Sequence, residues 1–284
     1  MIWKIRQNTV SFGRTLLMGI LNITPDSFFD GGRFLGPEDA AAQALKLVEE
    51  GADILDLGAQ STRPGALPIT EREELERLLP VLERVRKEVS VPLSIDTVSS
   101  EVAKECLEAG ADIINDVSGL RRSGPAMAKV VRKFGAGIIL MHSRGTAETM
   151  PTLARYEDVV QDVITELRES VKLATDAGIE RERIVVDPGL GFAKIAEQNL
   201  EILKKISVFH ELGFPVLAGP SQKSFIGKVT GREAKDRMLG TAACVAACVR
   251  EGVQILRVHE VGAMRDVVLM TEAIHPVRDG LKSF

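Results

Sequence analysis

At 284 residues the chain is long enough for one barrel-sized domain or two smaller ones, and its 45% hydrophobic and 27% charged content is that of a soluble globular protein. The formal net charge of −4 argues against a nucleic-acid or membrane-surface role, which would carry a basic excess. No run approaches the roughly 20 apolar residues of a membrane helix, residues 1–15 lack the apolar centre of a signal peptide, and Cys106, Cys244 and Cys248 have no CxxC spacing, so a reduced cytoplasmic protein is expected.

Residues 1–15 alternate in character around Gln7-Asn8, which predicts a short hairpin capping the amino end of the fold. The apolar run from Leu16 to Leu21 then ends at Asn22 and opens into a long loop, TPDSFFDGG: a buried strand that delivers a polar side chain at its carboxyl end. The same grammar recurs in EEGADILDLG (49–58), EAGADIINDV (108–117), KFGAGIILMH (133–142) and REGVQILRVH (250–259). In each, a polar helical end meets a glycine, an apolar run follows, and a polar residue closes it.

Eight such runs start near residues 16, 53, 92, 112, 137, 183, 215 and 254, and their continuous apolar character marks parallel strands buried on both faces. Amphipathic stretches of helical period lie between them at 37–50, 70–88, 98–109, 123–134, 153–177, 196–212, 232–251 and 260–274. Thr70 followed by Glu73 predicts a capping box, and Cys244 and Cys248, four apart, share a helix face as small packing residues. Eight βα units predict an α/β fold, a closed (β/α)8 TIM barrel over 16–284 preceded by the hairpin, all in one domain, 1–284; an open doubly wound sheet is the structural alternative.

In such a barrel the chemistry sits at the carboxyl ends of the strands. Those ends hold Asn22, Asp56, Asp96, Asn115, His142, Asp187, Arg257 and His259, with Lys223 just past the seventh strand. Asp96 and Asp187 are acceptors suited to a ligand with adjacent N–H donors, and Asn115 can both donate and accept along a heterocycle edge. Asp116 points away or caps the next helix, Asp56 is a candidate orienting residue, and His142 suits a structural place on the rim. His210 and His275 fall on helical stretches, as surface or packing residues. Arg257 and His259, two apart on one strand, point to the same side and form with Asn22 a corner for a metal–phosphate group.

Two loops exceed ordinary connection lengths, 23–36 and 58–69. In the second, Arg63 beside Thr62 can bind a phosphate or carboxylate bidentately, and Pro64 and Pro68 stiffen the backbone. Ser221, Lys223 and Ser224 sit where a strand gives way to a helix start, whose N–H groups attract anions. GLGF (189–192) is not a dinucleotide fingerprint, because Lys194 takes the place of the third glycine.

Taken together, NITPDSFFDGG, STRPGA, SIDT, GADIINDVSG, LMHSRGT, VVDPGLGF, KSFIG and RVHEV, in that order from residue 16 onward, resemble the dihydropteroate synthase family of folate biosynthesis. The resemblance implies condensation of 6-hydroxymethyl-7,8-dihydropterin diphosphate with p-aminobenzoate, releasing pyrophosphate, with Mg²⁺ as cofactor and a homodimer as the assembly. By position it implies that Asp96, Asn115 and Asp187 grip the pterin with Lys223 beside it, and that Asn22 is the Mg²⁺ ligand. Arg257, His259, Thr62 and Arg63 would meet the diphosphate, and Phe28, Pro64 and Ser224 the p-aminobenzoate; Asp96, Asp187, Lys223 and Arg257 would carry catalysis. The chain departs from the family at Gln222, where arginine is usual, and at Ala59 and Ala193, where glycine is common. The alternatives are a pterin-dependent methyltransferase, a catalytically silent pterin-binding paralogue, and an aldolase-like barrel with Lys223 as a Schiff-base lysine.

Overall fold

The structure is a computed structural model, and it describes residues 1–23, 36–60 and 69–275. The chain opens with an antiparallel hairpin of β1 (Ile2–Ile5) and β2 (Asn8–Ser11), in which Ile5 faces Asn8 across a turn at Arg6-Gln7. Alternating strands and helices follow. They are β3 (Leu16–Asn22), α1 (Pro37–Glu49), β4 (Ile54–Gly58), α2 (Glu71–Glu88), β5 (Leu93–Asp96), α3 (Ser100–Glu108), β6 (Ile113–Asp116), α4 (Gly124–Phe134) and β7 (Gly137–Met141). Then come α5 (Val159–Asp176), β8 (Ile184–Asp187), α6 (Ala196–Lys204), β9 (Leu217–Ala218), α7 (Ser224–Thr230), α8 (Met238–Arg250), β10 (Ile255–Val258) and α9 (Val261–Ile274).

The eight strands from β3 to β10 form one parallel sheet in the order β8-β7-β6-β5-β4-β3-β10-β9. A parallel bridge between Val186 and Val216, with Val186 N–H donating to Pro215 O at 3.0 Å, joins the two ends. The closed barrel expected from the repeating grammar is therefore the observed fold, and the open sheet is not.

Several elements differ from the periodicity-based expectation. The stretch 232–251 is helical only from Met238, because a separate two-turn helix, α7, precedes it and stops at Gly231 in the left-handed region (φ 70°). Helix α5 starts at Val159 rather than near 153, where Asp158 accepts from the N–H groups of Val160 and Gln161. Residues 196–212 break after Lys204 into a 3₁₀ segment. The capping box at α2 forms as expected, with Thr70 N–H to Glu73 Oε2 at 2.8 Å and Glu73 N–H to Thr70 Oγ1 at 3.2 Å.

Two apolar layers hold the barrel. The outer one packs helices on strands, and the strands are mainly apolar up to their carboxyl ends because they are covered on both sides. The inner layer, at the amino end, is Met18, Ile54, Ile113, Ile139, Val185, Leu217 and Ile255, with Trp3 and Ile5 of the hairpin inserted into it. Trp3 is fully buried and donates its indole N–H to Arg183 O at 2.9 Å. Gly137 makes room for it: a Cβ there would lie 3.0 Å from the indole ring.

Strand residues two apart face the same side, so the inner face turns polar one step up: Asp56 follows Ile54, Asn115 follows Ile113, Asp187 follows Val185 and Arg257 follows Ile255. The hairpin thus plugs the barrel below its polar layer. Trp3→Ala should destabilise the protein by about 3–5 kcal/mol in denaturant unfolding, the usual result of deleting a buried indole. A loss under about 1 kcal/mol would mean that the hairpin is appended rather than integral.

Candidate active site

The polar layer is held by one carboxylate. Asp56, fully buried, accepts at Oδ2 from Arg257 Nε at 2.6 Å and from Asn115 Nδ2 at 3.1 Å. Arg257 also donates through Nη2 to Asp96 Oδ2 at 3.2 Å, so four strands are tied at their carboxyl ends. On β8, Asp187 Oδ1 accepts the N–H of Gly189 at 2.7 Å. Lys223, at the cap of α7, places Nζ 4.2 Å from the centroid of the Phe192 ring and within the field of Asp187, Asp96 and Arg257.

Asp56 Oδ1 and Asn115 Oδ1 are buried acceptors with no partner among the described residues. Buried acceptors are nearly always paired, so this pair marks a place for a ligand bearing N–H donors. A cavity of about 210 Å³ shares Asp96 with this layer and is lined also by Thr97, Val117, Arg144 and Phe192.

Burial sets the titration of this layer. It pushes the Asp96 carboxyl up to about 7, against the pull of Arg257 and with a push from Asp56. It likewise raises Asp187 to about 6, opposed by the Gly189 N–H and the charge of Lys223. Lys223 is lowered to about 8, by burial and then by the like charge of Arg257. Three carboxylates and two cations share the layer.

The structure therefore brings Asp96, Asn115, Asp187, Lys223 and Arg257 together, with Asp56 as the residue that orients two of them. Asn22 ends β3 half-buried, paired in register with Gly58. His259 follows the last residue of β10, and its Nδ1 lies 2.8 Å from Ser221 Oγ. Ser224 is exposed at the start of α7 and lines a second cavity of about 240 Å³ with Gly191, Lys194 and Lys228. Phe28, Thr62, Arg63 and Pro64 lie outside the described residues.

The remaining expectations resolve simply. Asp116 does turn away from the barrel interior: its carboxylate accepts from Ser118 N–H at 2.8 Å, from Leu120 N–H at 3.0 Å and from the Ser123 hydroxyl, shaping the loop that enters α4. Gln222 donates to Glu260 Oε1 at 2.6 Å, a packing contact between the β9–α7 turn and the start of α9. His142 is structural, clasped between Glu166 and Lys194. Sequence reasoning missed those two partners, and also Asn199, whose Oδ1 accepts from Gly191 N–H at 2.6 Å. The one available signal was an ionisable residue, Lys194, inside the otherwise apolar run GFAKIA.

A closed (β/α)8 barrel whose carboxyl-end layer offers orphaned acceptors, raised carboxyls and a lowered amine defines a TIM-barrel enzyme acting on a polar small molecule. Residues 18–259 match the pterin binding enzyme family, and the chain belongs to it. It is 45% identical over 262 residues to the dihydropteroate synthase of Synechocystis sp., covering 92% of this chain and 90% of that one. Among solved structures it resembles the Yersinia pestis dihydropteroate synthase in a sulfonamide drug complex, at TM-score 0.92 and 34% identity over 98% of this chain and 100% of that one. It also resembles the Xanthomonas albilineans enzyme in complex with 7,8-dihydropteroate, at TM-score 0.87 and 37% identity, again over 98% and 100% of the two chains.

The titrating groups give a pH profile. Below about 6 both Asp187 and Asp96 are protonated and lose acceptor capacity; above about 8 Lys223 loses its charge. kcat/KM for the ligand of this layer should be bell-shaped, with its maximum between about 7 and about 8. A flat profile from pH 5.5 to 9 (roughly the span of both limbs) would remove these groups from ligand binding.

Proposed function

We propose that this chain catalyses the dihydropteroate synthase reaction, joining p-aminobenzoate to 6-hydroxymethyl-7,8-dihydropterin diphosphate to give 7,8-dihydropteroate and pyrophosphate. The observation that carries the proposal is the buried acceptor set of Asp56, Asp96, Asn115 and Asp187, which matches the N–H-rich edge of a pterin. The synthase relatives, one solved with the product of this reaction, support the same reading and favour it over methyl transfer.

In this reading Asp96, Asn115 and Asp187 hold the pterin, with Lys223 over Phe192 closing one side. The C–O bond to the diphosphate breaks and the aromatic amine forms the new C–N bond at the same methylene carbon; the amine's surplus proton passes to solvent. Asp96 and Asp187, as anions, stabilise positive charge developing on the pterin methylene. Arg257, His259, Thr62 and Arg63 meet the departing diphosphate, while Phe28, Pro64 and Ser224 meet p-aminobenzoate. The attacking aniline is neutral at pH 7, so positioning and electrostatics supply most of the rate.

Among the described residues no cluster of three or more His, Cys, Asp or Glu is placed to hold a metal ion. A single amide oxygen, as Asn22 offers, still fits Mg²⁺, which keeps several waters and takes most of its protein-independent ligands from substrate phosphates. Asn22 would hold the ion together with the diphosphate, and the ion would supply charge neutralisation on the leaving group. The Gln222–Glu260 contact lies in the packing around α9, which fits an active enzyme better than a silent paralogue.

A reduced compartment, the cytoplasm, accords with three free thiols at Cys106, Cys244 and Cys248, and no described helix is long and apolar enough to cross a membrane. Leu239 of α8 and Leu269, Met270 and Ile274 of α9 are exposed apolar residues on adjacent helices, suited to a homodimer interface. Light scattering should give twice the chain mass of 30.8 kDa, and a mass of one chain would remove the dimer.

Pyrophosphate release from the pterin diphosphate should require both p-aminobenzoate and Mg²⁺. Asp96→Ala should lower turnover by about 10²–10³-fold while circular dichroism and the unfolding midpoint stay close to wild type. Near-normal turnover in that variant would sink the role given to Asp96; pterin binding by the wild type without any release would sink the synthase reading.

A further inference from the structure

The turn from β8 into α6, residues 188–195, carries two elements of the ligand pocket: Gly189, whose N–H fixes Asp187, and Phe192, whose ring lies beneath Lys223. Leu190 anchors this turn in the apolar core, and the backbone on either side of it is shaped by polar contacts. Its backbone is also held in unfavourable conformations. Gly189 (φ 68°) sits so close to the carbonyl of His142 that a side chain there would collide with it, and Ala193 (φ 48°) is a non-glycine residue in the left-handed region. Conformations of this sort persist only where the surroundings over-determine them.

The surroundings converge on Lys194. Its side chain is almost fully buried, and Nζ lies 2.9 Å from His142 Nδ1, 3.0 Å from Gly189 O and 2.9 Å from Phe192 O. Those three acceptors match the three donors of an ammonium group. The arrangement also sets the tautomer of His142: Nδ1 accepts from the lysine, so Nε2 carries the proton and donates to Glu166 Oε2 at 3.1 Å. Glu166 is in turn gripped by Arg144 and Arg121. The turn is thereby linked, through one buried amine, to the end of β7 and to α5.

We propose that Lys194 is a positioning residue for the pterin pocket: its buried ammonium locks the β8–α6 turn in the shape that aims Asp187 and seats Phe192 under Lys223. Burial lowers this amine to about 7, and the charged groups facing it (Asp187, Glu166, Arg144 and Lys223) come from β8, α5, the β7–α5 segment and the cap of α7. Asn199 Oδ1 on Gly191 N–H and the Tyr156 hydroxyl on Ala193 O at 3.0 Å brace the same turn from α6 and from the β7–α5 segment. Neither hydrogen-bonds Gly189 or Phe192; Phe192 N–H donates to Gly189 O at 3.1 Å within the turn, and the side chain that holds both carbonyls is the lysine's. The inference rests on the synthase reading and refines how its pocket is built.

Lys194→Met removes all three donors while keeping an unbranched apolar side chain. We expect KM for the pterin diphosphate, and its Kd by calorimetry, to rise by about tenfold or more, with KM for p-aminobenzoate changed by less than about twofold. A purely structural lysine would instead lower the unfolding midpoint and the active fraction and leave KM unmoved; that outcome overturns the proposal. Lys194→Gln, which keeps two N–H donors on a slightly shorter arm, should recover part of the lost affinity. If neither variant folds, the lysine serves folding rather than placement and the proposal also falls. Wild-type protein assayed in parallel separates the two levels: absence of pyrophosphate release there defeats the synthase reading itself, whereas normal release with an unchanged KM in Lys194→Met defeats only the positioning role.

Discussion

A buried carboxylate that must be paired governs the upper half of this barrel. Asp56 cannot remain charged within the barrel without donors, and it obtains them from Arg257 and Asn115 on two other strands. That requirement fixes the rotamers of both, and through Arg257 it reaches Asp96. The second oxygen of Asp56 and the side-chain oxygen of Asn115 are left without partners among the described residues, so the network that orders the layer also leaves it chemically incomplete. A site assembled in this way is pre-organised by its own electrostatics rather than by contact with a ligand.

The apolar layer below makes the polar layer possible. Trp3 and Ile5 close the amino end, and the isoleucine and valine side chains at the same level fill the interior, so ionisable groups begin only where they can reach one another. The division runs along β4, β6, β8 and β10 at a two-residue step, apolar then polar on the inner face, while apolar side chains of the outer face meet the helices. Stability and chemistry thus occupy different heights of one barrel. The result is a pocket floor that is rigid because it is hydrophobic and walls that are rigid because their charges are paired.

Two departures from the family pattern take on physical meaning here. Gln222 stands in the left-handed region (φ 57°) and gives its amide to Glu260, satisfying one carboxylate oxygen while the other, buried, has no partner among the described residues. A guanidinium there would match both oxygens, so the change bears on how α9 is fastened more than on the ligand cluster. Ala193 occupies a backbone conformation that glycine adopts freely, at a cost of about 1 kcal/mol. The strain falls in a turn already clamped on both sides, by Tyr156 at Ala193 O and by Lys194 next to it, where the surroundings can sustain it.

The local pattern alone determined the eight strands in order, the helices between them other than α7, the capping box at Thr70 and the identity of the strand-end residues. All of these follow from short-range periodicity and from the rule that a strand buried on both faces must be apolar until it reaches the rim. Tertiary structure decided what no local pattern carries. The partners of Asp56 are 59 and 201 residues away along the chain. His259 meets Ser221 across 38 residues, and α7 separates from α8 because Gly231 stops it. Lys194 meets His142 across 52 residues, and nothing near either one announces the other. Backbone hydrogen bonding and hydrophobic period are properties of neighbouring residues and can be read in order. The pairing of buried charges is a property of the closed barrel, and it exists only once the strands have come together.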